Sequence, residues 1–177
     1  MDQGADICCD SAHKTLPVLT GGAYLHIAPA APQAFFKRAR EAMGLFGSTS
    51  PSYLILQSLD RANLYLAEGY REKLLETAER VQKLRQRLSR RGWRFLGDEP
   101  VKLTLKAKEY GYTGQEAGAR LAGKGIVWEY ADPDYLVLMP SPENPPEDFA
   151  RLYEALSALE KRPPRGRALP CLERPRQ

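Results

Sequence analysis

The spacing of apolar and polar positions changes several times along the chain, and each change predicts an element. Residues 5–9 are a short, mostly apolar run before a polar segment, which predicts a buried strand. Gly21-Gly22 predicts a turn. Residues 23–28 (A-Y-L-H-I-A) predict a second strand, paired with the first across a loop that contains Lys14. Pro29 and Pro32 end that strand, and residues 32–45 predict an amphipathic helix rich in Phe and Arg. The loop G-S-T-S-P at 47–51 places Pro51 in the first turn of a further helix reaching Glu68. Residues 70–91 form the longest periodic segment. There Leu74, Ala78, Val81, Leu84 and Leu88 recur at spacings of three and four, lining one face until Gly92 stops the helix.

Beyond Gly92 the texture becomes strand-like. Residues 93–96, 101–107, 126–130 and 135–139 predict four strands, several of them alternating. Two helices interleave with them. One follows the capping box T-G-Q-E, from Thr113 to Glu116, and ends at Gly123 or Gly125. The other follows S-P-E-N at 141–144 and runs over 146–159, with Glu147 and Asp148 in its first turn. The organisation read from this is the end of an α/β sheet domain over 1–50 and connecting helices over 51–91. A small α+β domain over 92–160 and a basic, Pro-rich linker over 161–177 complete it.

Composition narrows the class. Hydrophobic residues make up 43% and charged residues 27% of the 177, as in ordinary globular chains. No apolar run approaches the roughly 20 residues of a membrane helix, and the N-terminus lacks a signal-peptide pattern, so a cytoplasmic location without membrane contact is expected. Cys8, Cys9 and Cys171 fit neither a disulfide framework nor a zinc site, and read as small apolar fillers. The net charge of +4 is concentrated at Lys83, Arg85, Arg87, Arg90, Arg91 and Arg94, and at Lys161, Arg162, Arg165, Arg167, Arg174 and Arg176. The first group falls in the last turns of a helix, where cations complement the macrodipole, so nucleic-acid binding is the weaker reading.

Other candidates resolve toward structure. His26 alternates with Tyr24 on a strand and reads as a core or interface histidine. With two histidines and no carboxylate at helical spacing from either, no metal site is expected. Glu143, Glu147 and Asp148 read as acids at a helix N-terminus, not as a catalytic pair. Trp93 and Trp128 read as packing. L-A-G-K-G at 121–125 lacks the spacing of a phosphate loop, and the Ser11–His13 pair lacks a third member for a hydrolase triad.

The chemistry lies in D-S-A-H-K-T-L-P at 10–17, where a strand delivers Ser11, His13 and Lys14 into one loop. A lysine serving as a Schiff-base nucleophile must be partly desolvated and flanked by groups that favour its neutral form. A neighbouring hydroxyl and imidazole can bind a phosphate. The wider pattern, D-S-A-H-K-T-L-P-V-L-T-G-G-A-Y-L-H-I followed by S-T-S-P-S-Y, closely resembles the ornithine/lysine/arginine decarboxylases. The resemblance continues through Gly111-Tyr112-Thr113-Gly114, through residues 134–139 (D-Y-L-V-L-M) and through residues 141–144.

That resemblance implies an α/β and α+β fold: the C-terminal part of a fold-type I, aminotransferase-like large domain with its small α+β domain. It implies pyridoxal 5'-phosphate as cofactor and decarboxylation of arginine, lysine or ornithine to a polyamine or its precursor. Lys14 would be the Schiff-base lysine and proton carrier, and Ser11 and His13 would help hold the cofactor phosphate. Ser48 would reach the phosphate of a neighbouring subunit's cofactor, so a homo-oligomer, at least a dimer, is expected. Asp10 directly precedes Ser11 and is not the expected partner of the pyridine nitrogen. In the family that acid comes from strands before the lysine segment, and a further domain follows the small one. The chain therefore reads as a fragment of such an enzyme, the alternative being an inactive fragment or interaction module derived from one.

Overall fold

The computed structural model describes Met1 and residues 3–166. Arg167, Cys171, Arg174 and Arg176 lie outside the described residues. The chain divides into two compact units, Met1–Arg71 and Glu72 onward.

The first unit begins with an antiparallel hairpin, β1 (Ile7–Asp10) and β2 (Tyr24–Ile27), in the register Ile7↔Ile27 to Asp10↔Tyr24. Helices α1 (Gln33–Phe46) and α2 (Tyr53–Ala67) follow. The elements match their sequence patterns, but the burial does not. β1 is not a buried strand: Ile7 is 45% exposed, Cys9 is exposed and Cys8 only half-buried, so the cysteines are not interior fillers. The cause is that, among the described residues, these two strands form a sheet by themselves. His26 is likewise no core residue, since its side chain is half exposed and its Nε2 lies 3.4 Å from Asp10 Oδ2. Pro51 precedes the helix instead of entering its first turn, because Ser52 takes the extended N-cap conformation (φ −69°, ψ 121°).

The second unit has a continuous core. α3 (Tyr70–Arg90) buries Thr77, Val81, Leu84 and Leu88. Thr77 takes a stripe position beside half-buried Leu74 and Ala78, its hydroxyl donating to the Lys73 carbonyl at 2.8 Å. The strands β3 (Phe95–Leu96), β4 (Leu103–Leu105), β5 (Tyr130–Ala131) and β6 (Leu136–Leu138) make an antiparallel sheet in the order β3-β4-β6-β5. Leu103, Leu105, Leu136 and Leu138 point from its two central strands into the core. α4 (Gly114–Ala122) and α5 (Pro146–Ser157) add Ala117, Leu121, Leu152 and Leu156.

Trp93 is fully buried, stacks on Tyr110 at 3.9 Å between ring centroids and donates its indole N–H to the Leu156 carbonyl at 3.3 Å. The reading of Trp93 as packing therefore stands, and Trp128 lies half-buried against Gly118. The Thr113–Glu116 capping box is present in both directions. The strand expected over 126–130 is cut to β5. Gly125 turns left-handed (φ +71°) and the Ile126 N–H bonds the Leu121 carbonyl at 3.1 Å, so Ile126 closes α4 and is lost to the sheet.

Much of the basic charge is used inside this unit. Arg85 donates to the carbonyls of Gly97, Glu99 and Lys102 at 2.6, 3.0 and 2.9 Å, and the Arg87 guanidinium lies 3.6 Å over the Tyr153 ring. Residues 161–166 hold no regular element, yet they are tied down. Arg162 N–H bonds the Tyr110 carbonyl at 3.1 Å, Arg165 N–H bonds the Lys108 carbonyl at 3.2 Å, and Arg165 pairs with Glu116 at 2.9 Å. Among the described residues, no helix is long and apolar enough to cross a membrane.

Candidate functional site

The hairpin loop of the first unit is a built segment. After β1 ends at Asp10, Ser11 takes an extended conformation (φ −73°, ψ 92°) and opens a 3-10 turn, Ala12–Lys14. Lys14 N–H bonds the Ser11 carbonyl at 3.1 Å, and Thr15 and Leu16 N–H groups bond the Ala12 carbonyl at 3.2 and 2.8 Å. Ala12 is buried at 3% exposure and pins the turn from below, while Ser11 and Lys14 are exposed and His13 is half-buried. The Ser11 hydroxyl makes no capping bond, and among the described residues Lys14 has no ion-pair partner. Both groups are thus available to a ligand.

Helix α2 holds the far side of the loop. Leu19 N–H donates to Ser58 Oγ at 3.1 Å, and the Tyr24 hydroxyl donates to the Leu59 carbonyl and to Asn63 Oδ1, each at 3.0 Å. Sequence reasoning did not find Ser58, Asn63 or Tyr24 in this role. The bonds join residues 35 to 39 positions apart, and no local periodicity reports such pairings.

The structure brings Ser11, His13 and Lys14 together on one turn. Ser48 is exposed in the loop after α1, and its hydroxyl accepts the Ser50 N–H at 3.1 Å. No hydrogen bond joins it to the other three. The Asp10 side chain is engaged locally, by the Cys8 thiol at 3.4 Å and by His26. Its neighbourhood pushes the Cys8 thiol pKa up, through desolvation first and the Asp10 hydrogen bond second.

Comparison with known proteins places the chain in a family. The fold is shared with the Francisella novicida lysine decarboxylase LdcF (TM-score 0.63, 20% identity, 84% of this chain and 27% of that one). It is shared equally with the constitutive lysine decarboxylase of E. coli (TM-score 0.66, 21% identity, 85% of this chain and 28% of that one). The family model for the Orn/Lys/Arg decarboxylase major domain matches residues 2–110, and the chain belongs to that family.

Two curated relatives come from Bacillus subtilis (strain 168). The uncharacterized protein YaaO is 32% identical over 148 residues, covering 78% of this chain and 30% of its own length. An arginine decarboxylase is 30% identical over 172 residues, covering 90% of this chain and 35% of its own length. The chain therefore spans roughly a third of the length of these relatives.

Proposed function

We propose that this chain is the lysine-bearing part of a fold-type I, pyridoxal-phosphate-dependent decarboxylase that removes carbon dioxide from a basic amino acid, in the cytoplasm and as a homo-oligomer. The observation that carries the reading is the single turn bearing Ser11, His13 and an unpaired Lys14, inside the segment matched by the family's major domain. Arginine is the preferred substrate candidate, because two relatives are named arginine decarboxylase. The product would be the corresponding polyamine precursor. Within this reading, residues 1–50 close the cofactor-binding large domain, 51–91 connect, and 92–160 form the small domain.

The residues present fit part of the cofactor. The free Ser11 hydroxyl and the His13 ring are the groups to hold a phosphate, with Ser48 donating toward the phosphate in a neighbouring subunit. Lys14 is the group to attach the aldehyde and to carry the proton at the substrate α-carbon. When bound, pyridoxal phosphate supplies the electron sink for the pair left behind as carbon dioxide departs. A carboxylate must hold the pyridine nitrogen protonated for this, and Asp10 is committed to Cys8 and His26.

The test is to add pyridoxal phosphate to the purified chain and follow visible absorbance. A new band that Lys14→Ala abolishes supports the reading, whereas a band unchanged in Lys14→Ala overturns it. Release of labelled carbon dioxide from arginine, lysine or ornithine then separates an active chain from the second reading, an inactive interaction module. That second reading is favoured by the apolar surface of the first unit, where Phe46 is 89% exposed and Tyr53 86%.

A further inference from the structure

We infer that the backbone carbonyl of Gly22 is a positioning group for His13: it fixes the imidazole proton on Nδ1, so that Nε2 can donate to an anionic oxygen only in the imidazolium form. His13 Nδ1 lies 3.0 Å from the Gly22 carbonyl oxygen. A carbonyl oxygen offers lone pairs and no proton, so the shared hydrogen must come from Nδ1. In the neutral ring Nε2 then carries a lone pair, which repels a phosphoryl or sulfate oxygen. Proton uptake converts it into a charge-assisted donor.

The carbonyl is held where it is by several bonds. His13 N–H donates to the same oxygen at 3.4 Å, closing the loop on itself, and Gly22 N–H donates to the Leu19 carbonyl at 3.1 Å. Leu19 is anchored to Ser58 and the following residues to Leu59 and Asn63 through Tyr24, so α2 fixes the loop that presents the acceptor. Gly22 is buried, and a Cβ there would strike the Val18 side chain. The charged neighbours do not compete for the ring. Lys14 shares its turn, and Asp10 and His26 pair with each other across the hairpin. Among the described residues, His13 has no ion-pair partner.

The inference rests on the proposed reading only where it assigns the anion to the cofactor phosphate, and the test keeps the two apart. His26→Gln leaves His13 as the chain's single histidine, whose ring nitrogens are then read by 15N NMR. The expected result is a neutral ring protonated at Nδ1; a ring protonated at Nε2 overturns the inference. Sulfate, which does not titrate in this range, serves as the anion probe across pH 5 to 8, the window in which imidazoles change charge. Its affinity should fall about tenfold or more toward the alkaline end, the worth of one charge-assisted hydrogen bond. In His13→Gln, whose amide donates at any pH, the affinity should be flat. Sulfate binding of equal strength at both ends of the range in the parent chain also overturns the inference. An Nδ1-protonated ring with no sulfate binding at either end removes His13 as a phosphate ligand and leaves its bond to Gly22 standing.

Discussion

From Glu72 onward, Trp93, Leu88, Leu103, Leu105, Leu121, Leu136 and Leu156 are fully enclosed, and a core cluster joins all of that unit's strands to its three helices. Between Met1 and Arg71 the buried apolar side chains are Ala12, Ala31 and Ala62, while Phe35, Phe36, Leu45, Phe46, Tyr53 and Leu54 stand in solvent. Apart from the shortened strand expected over 126–130, both regions form the elements their apolar spacing specifies. The spacing thus determines which face of an element is apolar, and only the neighbouring elements determine whether that face is covered. α1 makes the point most plainly, as an amphipathic helix with no buried residue.

The largest expected effect tests the contrast directly. Trp93→Ala removes a fully buried indole together with its ring stack and its bond to Leu156, and should cost about 3–5 kcal/mol. Phe46→Ala removes a side chain that is 89% exposed and should stay within about 0.5 kcal/mol of the parent. Thermal melts followed by circular dichroism decide the matter, and equal shifts for the two variants would break the comparison.

Glycines sharpen it next. At Gly111, a Cβ would run into the Arg162 side chain and backbone, and the residue sits at φ +97°, so Gly111→Ala should cost about 2–3 kcal/mol. At Gly22 the obstacle is a methyl of the half-buried Val18 side chain, with the Leu19 carbonyl and the Leu59 side chain at 3.3 Å, but φ is not positive. Gly22→Ala meets the clash without the backbone strain and should therefore cost less, about 1–2 kcal/mol. Urea midpoints of the two variants measure the difference, and a Gly22→Ala loss as large as that of Gly111→Ala would contradict it.

The second unit was the more legible in sequence, and the reason is physical. The T-G-Q-E box, the α3 stripe and the alternation around Leu136 all report interactions closed within a few residues, or burial that does take place. In the first unit the same kind of pattern located β1, β2, α1 and α2 but misjudged β1 as buried, and the structure leaves His26 outside the core, because burial depends on layers that a local pattern does not contain. At the candidate site, Ser11, His13 and Lys14 stand out in the sequence because they fall within four residues on one turn. The carbonyl of Gly22 and the α2 anchors do not, since a backbone acceptor has no residue signature and Ser58 and Asn63 lie far along the chain.

A smaller effect is expected at the α4 N-terminus. The Thr113 hydroxyl accepts the Glu116 N–H at 3.1 Å, and Thr113→Ala should cost about 1 kcal/mol, read as a lowered melting temperature of the second unit. Thr113→Ser keeps the acceptor and should recover most of the loss. If Ser fares no better than Ala, the hydroxyl bond is not what stabilises this helix start.

The smallest effect belongs to the other half of the same box. Glu116 accepts the Thr113 N–H at 2.9 Å through one oxygen and pairs with Arg165 at 2.9 Å through the other. Its carboxyl is held below its ordinary value of 4.5, by the Thr113 backbone bond first and by Arg165 after it. A depressed folded-state pKa means that the folded protein binds the proton less readily than the unfolded chain does. The resulting stabilisation is complete above the ordinary value and is lost as pH falls from there through the lower, folded-state value. Because the group is at the surface the increment is small, and salt weakens its Arg165 component. Melting temperatures measured from neutral pH down to about pH 3 should show an acid limb that is shallower in Glu116→Gln than in the parent. Arg165→Gln should flatten the limb only partly, since the larger cause, the Thr113 N–H, remains. Identical acid limbs in the parent and Glu116→Gln would mean that the box closes without drawing on the carboxylate's charge.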